Sequence, residues 1–152
     1  MADIKTIAAQ FENHTLPKEQ WTHQAHIAVA FAHIEKYKNE ELALQSLRQG
    51  IKGYNDAVGT ANTDTSGYHE TLTVFWLRVI SEYATQKKDD DMGGKFEDFL
   101  QTFLSSPQFP ARFYSKDLLF STTARHAWAA PDLLPLSALE ELVSGTIADG
   151  AT

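Results

Sequence analysis

The sequence contains no cysteine. That single absence excludes disulfides, thiolate zinc sites, iron–sulfur clusters and thiol nucleophiles. No apolar run approaches the ~20 residues needed to span a bilayer, so a membrane is not expected as a partner. Basic residues are short as well: Lys plus Arg number 13 against 20 acids, a formal net charge of -7. A chain this acidic is a poor match for a nucleic-acid backbone or an anionic lipid surface. The opening stretch MADIKTIAAQFENH has neither the basic region nor the long apolar segment of a secretory signal, and a cytoplasmic location is expected from it. Hairpin chemistry, internal repeats and a linker between domains are all missing. So are a glycine-rich phosphate loop, a GxSxG elbow and the HExxH and ExxH metal motifs.

What is present is one domain's worth of chain, 152 residues with 43% hydrophobic and 22% charged. These proportions suit a soluble globular protein that needs no cross-links. Apolar spacing predicts an all-α, single-domain bundle of five to seven helices over residues 1–152, with short mobile termini. A first helix fits residues 3–13. Thr15, Pro17 and Glu19 carry the signals of a helix start, and the helix they open would run to about Tyr37 with Trp21 on one side. Its apolar arc is wide, as expected of a central helix. A third helix fits 39–54. Residues 55–67 are turn-forming throughout, and loops of this length are often functional. A helix over about 67–86 follows, then a charged connection KKDDDMGGK, a short amphipathic helix carrying Phe96 to Leu104, a helical stretch 115–128 broken near Ser121, and a last helix over 136–147.

Three features carry chemistry. His23 and His26, in WTHQAH, are three apart and so neighbours on a helix, where two imidazoles can point at one ion. His33 shares their face but lies about 10.5 Å further along. His69 and Glu70 stand where the long polar loop meets the next helix. His69 is the natural third ligand if that helix meets the first pair, with Glu70 a second-shell partner, a fourth ligand or a general base. Three imidazoles with an open position suit catalytic zinc, and also iron, nickel or copper. Arg125, among aromatic residues, suits a carboxylate or phosphate, or a structural ion pair. Tyr54, Asn55, Asn62, Thr63 and Tyr68 flank the loop and either close on a ligand or turn and cap the backbone. Trp21, Tyr54, Tyr68, Trp76, Phe113, Tyr114 and Trp128 either line an apolar pocket or form core.

The segments WTHQAH, GIKGYN, NTDTSGYHETLTVFW and FYSKDLLFSTTARHAWAAPDLLPL, from about Leu16 to Leu136, together resemble a family of small bacterial proteins without an assigned activity, marked by WTHxAH and GYHETLTxFW. The resemblance implies no particular reaction. It implies that Thr22, His23, His26, Tyr54, Asn55, Asn62, Thr63, Tyr68, His69, Glu70, Ser121 and Arg125 belong to one shared pattern, and a pattern rich in titratable residues suggests a site. The first expectation is therefore a mononuclear metal-dependent enzyme acting on a small, anionic molecule. His23, His26 and His69 would hold a divalent transition metal, Glu70 would move a proton, and Arg125, Tyr68, Asn62 and Tyr54 would hold substrate. Zinc would give hydrolytic or lyase chemistry, a redox metal oxygen chemistry. The alternative is a non-catalytic helical domain with a His- and aromatic-lined ligand pocket. A third reading is an interaction domain in which these residues only pack and cap.

Overall fold

The computed structural model describes residues 3–150, with side chains to Ile147. The expectation of mobile termini falls on residues 1–2 and 151–152, outside the described residues. Among those described, the chain is all helical. It forms eight α-helices: α1 (Ile4–Glu12), α2 (His23–Tyr37), α3 (Glu40–Ala57), α4 (Glu70–Gln86), α5 (Met92–Leu100), α6 (Lys116–Leu119), α7 (Thr122–His126) and α8 (Leu139–Gly150). Short 3₁₀ turns at Lys18–Gln20, Phe103–Ser105, Phe109–Arg112 and Leu136–Ala138 complete it. The expected five to seven helices is thus slightly low. The charged connection starts α5 earlier than its aromatic residues suggest, and Ser121 splits the 115–128 stretch into two separate one-turn helices.

Helix starts are written in side chains that accept a backbone N–H left over in the first turn. Asp3, Thr22, Asn39, His69, Asp91, Ser115 and Ser121 cap α1 to α7 in this way. Each such cap stabilises its helix by about 1 kcal/mol. Two of them correct the sequence reading. Thr15, Pro17 and Glu19 open only a 3₁₀ turn, and the helix proper begins after Thr22, whose hydroxyl accepts from the Ala25 N–H. Trp21 consequently sits on the elbow before α2 rather than along it. Likewise α4 begins at Glu70, and His69 is its cap rather than a first-turn residue.

Helix α2 is central, as its wide apolar arc predicts: Ala25 and every residue from Ile27 to Phe31 are buried. It packs against α1, α3, α4 and α5, while α4 also meets α3, α7 and α8. Phe31 lies edge-on to Phe96 and Phe99, and Phe75 of α4 packs among Phe109, Phe113 and Tyr114. A fully buried phenylalanine contributes roughly 1.5–3 kcal/mol by leaving water, so these clusters hold α2 against α5 and α4 against the Phe109–Tyr114 segment. Gly50 on α3 allows the close approach of α1: a Cβ there would stand 2.8 Å from the Phe11 ring. No described helix is long and apolar enough to cross a membrane.

Candidate functional site

The loop from Val58 to Tyr68 is built as a fixed wall. Asn62 Oδ1 accepts from Asn55 Nδ2 at 2.9 Å and from the Tyr68 N–H at 3.0 Å. Arg125 Nη1, on α7, donates to the carbonyls of Gly67 and Tyr68 at 3.1 and 3.3 Å. Gly67 itself has φ +80, and a Cβ there would lie 2.7 Å from Asn62 Oδ1. Left-handed backbone with no room for a side chain is a glycine requirement. The loop therefore presents Tyr68 and His69 at a set position, between two cavities that share the Tyr68 ring.

The first cavity, about 520 Å³, lies between α2, α3 and the start of α4. Its walls include Trp21, His23, His26, Leu47, Ile51, Asn55, Tyr68, His69 and Trp76. The structure thus brings His23, His26 and His69 to one enclosure, and the hydrogen bonds assign their nitrogens. A carbonyl only accepts, so a ring nitrogen facing one must carry hydrogen. His26 Nδ1 donates to the Thr22 carbonyl at 2.8 Å, and His23 Nε2 donates to the Ser105 carbonyl at 2.8 Å. His26 Nε2 and His23 Nδ1 are left without a protein partner among the described residues. His69 differs: Nε2 donates to the Leu119 carbonyl at 2.7 Å, and Nδ1 accepts the Leu72 N–H at 3.1 Å. Both of its nitrogens are committed.

Packing and desolvation set the charge states. The His26 ring stacks on Trp21, centroids 3.7 Å apart and planes 26° from parallel. More than a third of the residue is nevertheless open to solvent, so its desolvation comes from the ring's packing on Trp21 and not from enclosure. Desolvation pushes its pKa down to about 4 against the pull of the Thr22 carbonyl, so it is neutral at physiological pH. Burial also lowers His69, against the Leu119 carbonyl, which agrees with a nitrogen that must accept an amide. Trp76 meets His23 edge-on at 5.0 Å. The polar groups of this cavity thus include two free imidazole lone pairs and Asn55 Oδ1, which has no protein partner among the described residues, together with Lys18 and the Thr60 and Thr73 hydroxyls.

Metal binding is constrained by the same geometry. Among the described residues, no three His, Cys, Asp or Glu side chains are grouped to hold an ion. His23 and His26 are the two imidazoles with a free lone pair here. For His69 to join them it would release Leu72 or Leu119.

The remaining predicted site residues lie elsewhere. Glu70 lines the second cavity, about 560 Å³, together with Arg48, Lys52, Arg125 and Trp128. Arg48 grips it bidentately, Nε to Oε1 at 2.9 Å and Nη2 to Oε2 at 2.7 Å, and the Tyr68 hydroxyl donates to Oε1. Burial disfavours the carboxylate, but the Arg48 and Tyr68 bonds outweigh it and hold the Glu70 pKa below its usual value. Burial and the Glu70 bond push the Tyr68 hydroxyl up. Tyr54 is fully buried outside both cavities, donating to the Leu16 carbonyl at 2.7 Å. Asn62 holds the loop from the second cavity's side. His33 is buried with Nδ1 on the Val29 carbonyl, and His126 pairs with Asp64 at 2.7 Å on the surface.

Arg48 and Lys52 are absent from the sequence reading. Their i, i+4 spacing puts both on one face of α3, but nothing local to them announces a carboxylate 22 residues away. The carbonyls of Ser105 and Leu119 are likewise invisible to any reading by residue type. Comparison of the chain with protein-family models, with curated proteins and with solved structures gave no match, so function must be argued from these two cavities.

Proposed function

We propose that the first cavity binds a small planar, largely apolar molecule that offers N–H or O–H donors, such as a phenol, an aromatic amine or an N–H heterocycle. The observation that carries this is His26: neutral, stacked on Trp21, one nitrogen anchored and the other free beside an aromatic cavity. An enclosure of about 520 Å³ is in the size range of small-molecule sites. The Trp21, Trp76 and Tyr68 rings in its wall favour a flat ligand, and the free imidazole nitrogens and Asn55 Oδ1 are acceptors, so a ligand that brings hydrogens is matched to them. Pre-fixed ring orientations lower the entropy cost of binding.

The test is thermal denaturation with indole, benzimidazole, phenol and aniline, with cyclohexanol as a non-planar control. A ligand that binds the native state alone raises Tm with concentration. The planar donors should do so, and His26→Ala should abolish the rise. A flat Tm for all four, or an equal rise in His26→Ala, refutes the proposal.

A second reading has one observation in its favour. His23 and His26 are each held by a backbone carbonyl through one nitrogen, as metal-ligating imidazoles commonly are. In it a divalent transition metal binds His23 Nδ1 and His26 Nε2, with the other positions left to water or substrate, giving metal-dependent chemistry. Two protein ligands are one fewer than catalytic zinc usually has, so the donor set supports this reading less well. Metal content after incubation with zinc, iron, nickel or copper decides it: stoichiometric uptake lost in His26→Ala supports the metal, and no uptake removes it.

A further inference from the structure

Three cations, Arg48, Lys52 and Arg125, line the second cavity beside one lining carboxylate, Glu70. Arg48 is spent on Glu70 through two hydrogen bonds, and two further carboxylates are bonded to this wall, Asp64 by His126 Nε2 and Asp56 by Asn62 Nδ2 at 3.5 Å. Lys52 and Arg125 remain. Neither has a carboxylate within 4.0 Å among the described residues. They flank one residue: Lys52 Nζ stands 5.0 Å from the centre of the Tyr68 ring, and Arg125 Nη1 lies 3.3 Å from the Tyr68 carbonyl. Arg125 uses one terminal nitrogen on the loop, so its Nε and Nη2 hydrogens are free and its plane is already set. A fixed guanidinium edge suits two oxygens of one anion, and a lysine beside it adds a mobile point charge. Trp128, 39% exposed, lines the same cavity and offers an apolar face.

We propose that this cavity is a binding site for a phosphomonoester dianion, with Arg125 and Lys52 on the phosphate and Trp128 against the organic group. A phosphomonoester carries nearly two negative charges at neutral pH, which suits two cations that have no carboxylate within 4.0 Å among the described residues. A monocarboxylate offers one charge and two oxygens, enough for the Arg125 fork alone. The site is separate from the cavity of His23 and His26 and does not depend on what that cavity binds.

The experiment is an amide NMR titration of the whole protein with phenyl phosphate, run beside benzoate. Expected are saturable shifts around Lys52, Arg125 and Trp128, weaker at high salt, with benzoate binding more weakly. Lys52→Gln, an exposed position that leaves the fold intact, should weaken binding about tenfold, the scale of one charge-assisted contact. Arg125→Lys should weaken it by a similar factor, because charge remains but the fork is gone. His26→Ala should leave it unchanged. The proposal is overturned by an absence of saturable shifts, by unchanged affinity in Lys52→Gln, by benzoate binding as tightly, or by loss of binding in His26→Ala.

Discussion

Replacing His69 by alanine separates structural from metal-binding roles for the most informative histidine. The imidazole does two jobs at once: Nδ1 caps α4 through Leu72, and Nε2 ties that helix start to α6 through Leu119. Losing the cap costs about 1 kcal/mol. Leaving the Leu119 carbonyl without its donor costs a further ~2 kcal/mol if no water replaces it. His69→Ala should therefore lose about 3 kcal/mol, and His69→Asn, which restores a strong cap but is too short to reach Leu119, about 2 kcal/mol. With a urea dependence near 2 kcal/mol per M for a chain of this size, the midpoints should fall by about 1.5 M and about 1 M. Equal losses in the two variants, or a fall under about 0.5 M in His69→Ala, would show that the capping bond is not what His69 supplies. Chelator sensitivity of the wild type that vanishes in His69→Ala would point to a metal instead. The pH dependence has a fixed sign. His69 is held below its ordinary value of 6.5, so its contribution is complete above pH 6.5. It is lost as pH falls through the folded-state pKa, where Nδ1 gains a proton and can no longer accept from Leu72.

His26 should titrate near pH 4 rather than 6.5 in side-chain nitrogen NMR, and native stability should decline as pH drops across that interval because the unfolded chain takes up the proton first; an imidazole titrating at its ordinary value would refute the desolvation of its ring. Gly67→Ala should destabilise the protein by about 2 kcal/mol or more through positive φ and collision with Asn62, with a urea midpoint near wild type counting against the fixed loop. Arg48→Ala and Glu70→Gln should each cost about 2 kcal/mol, between exposed and buried ion pairs, since 32% and 12% of their side chains remain accessible. The double variant should cost clearly less than the two losses combined, and full additivity in denaturation would mean that the pair is not coupled.

Much of the fold was legible because helix starts and buried faces are local. The central placement of α2 follows from its apolar arc, and Ser121 announces the break between α6 and α7 by its own chemistry. The errors are local too. Thr15, Pro17 and Glu19 carry the same start signals as Thr22, and residue type alone does not rank two candidate caps seven residues apart. Packing does: Trp21 must leave the helix axis to stack on Phe11 and His26, at 4.8 and 3.7 Å. The helix can begin only after it.

The candidate site was legible as a meeting of residues and illegible as a set of roles. His23, His26 and His69 do face one cavity, and that much follows from α2 meeting the start of α4. What each imidazole can do depends on which nitrogen is already taken, and in all three cases a backbone carbonyl decides, at Thr22, Ser105 and Leu119. Every residue carries a carbonyl, so its position is a property of the fold and not of residue type. The same holds for charge. Glu70 reads as a supporting partner, a fourth ligand or a general base beside His69, yet α3 brings Arg48 to both of its oxygens and it lines the second cavity. A single long-range ion pair thus commits the expected base to the second cavity, while Lys52 and Arg125 stay without a carboxylate within 4.0 Å among the described residues.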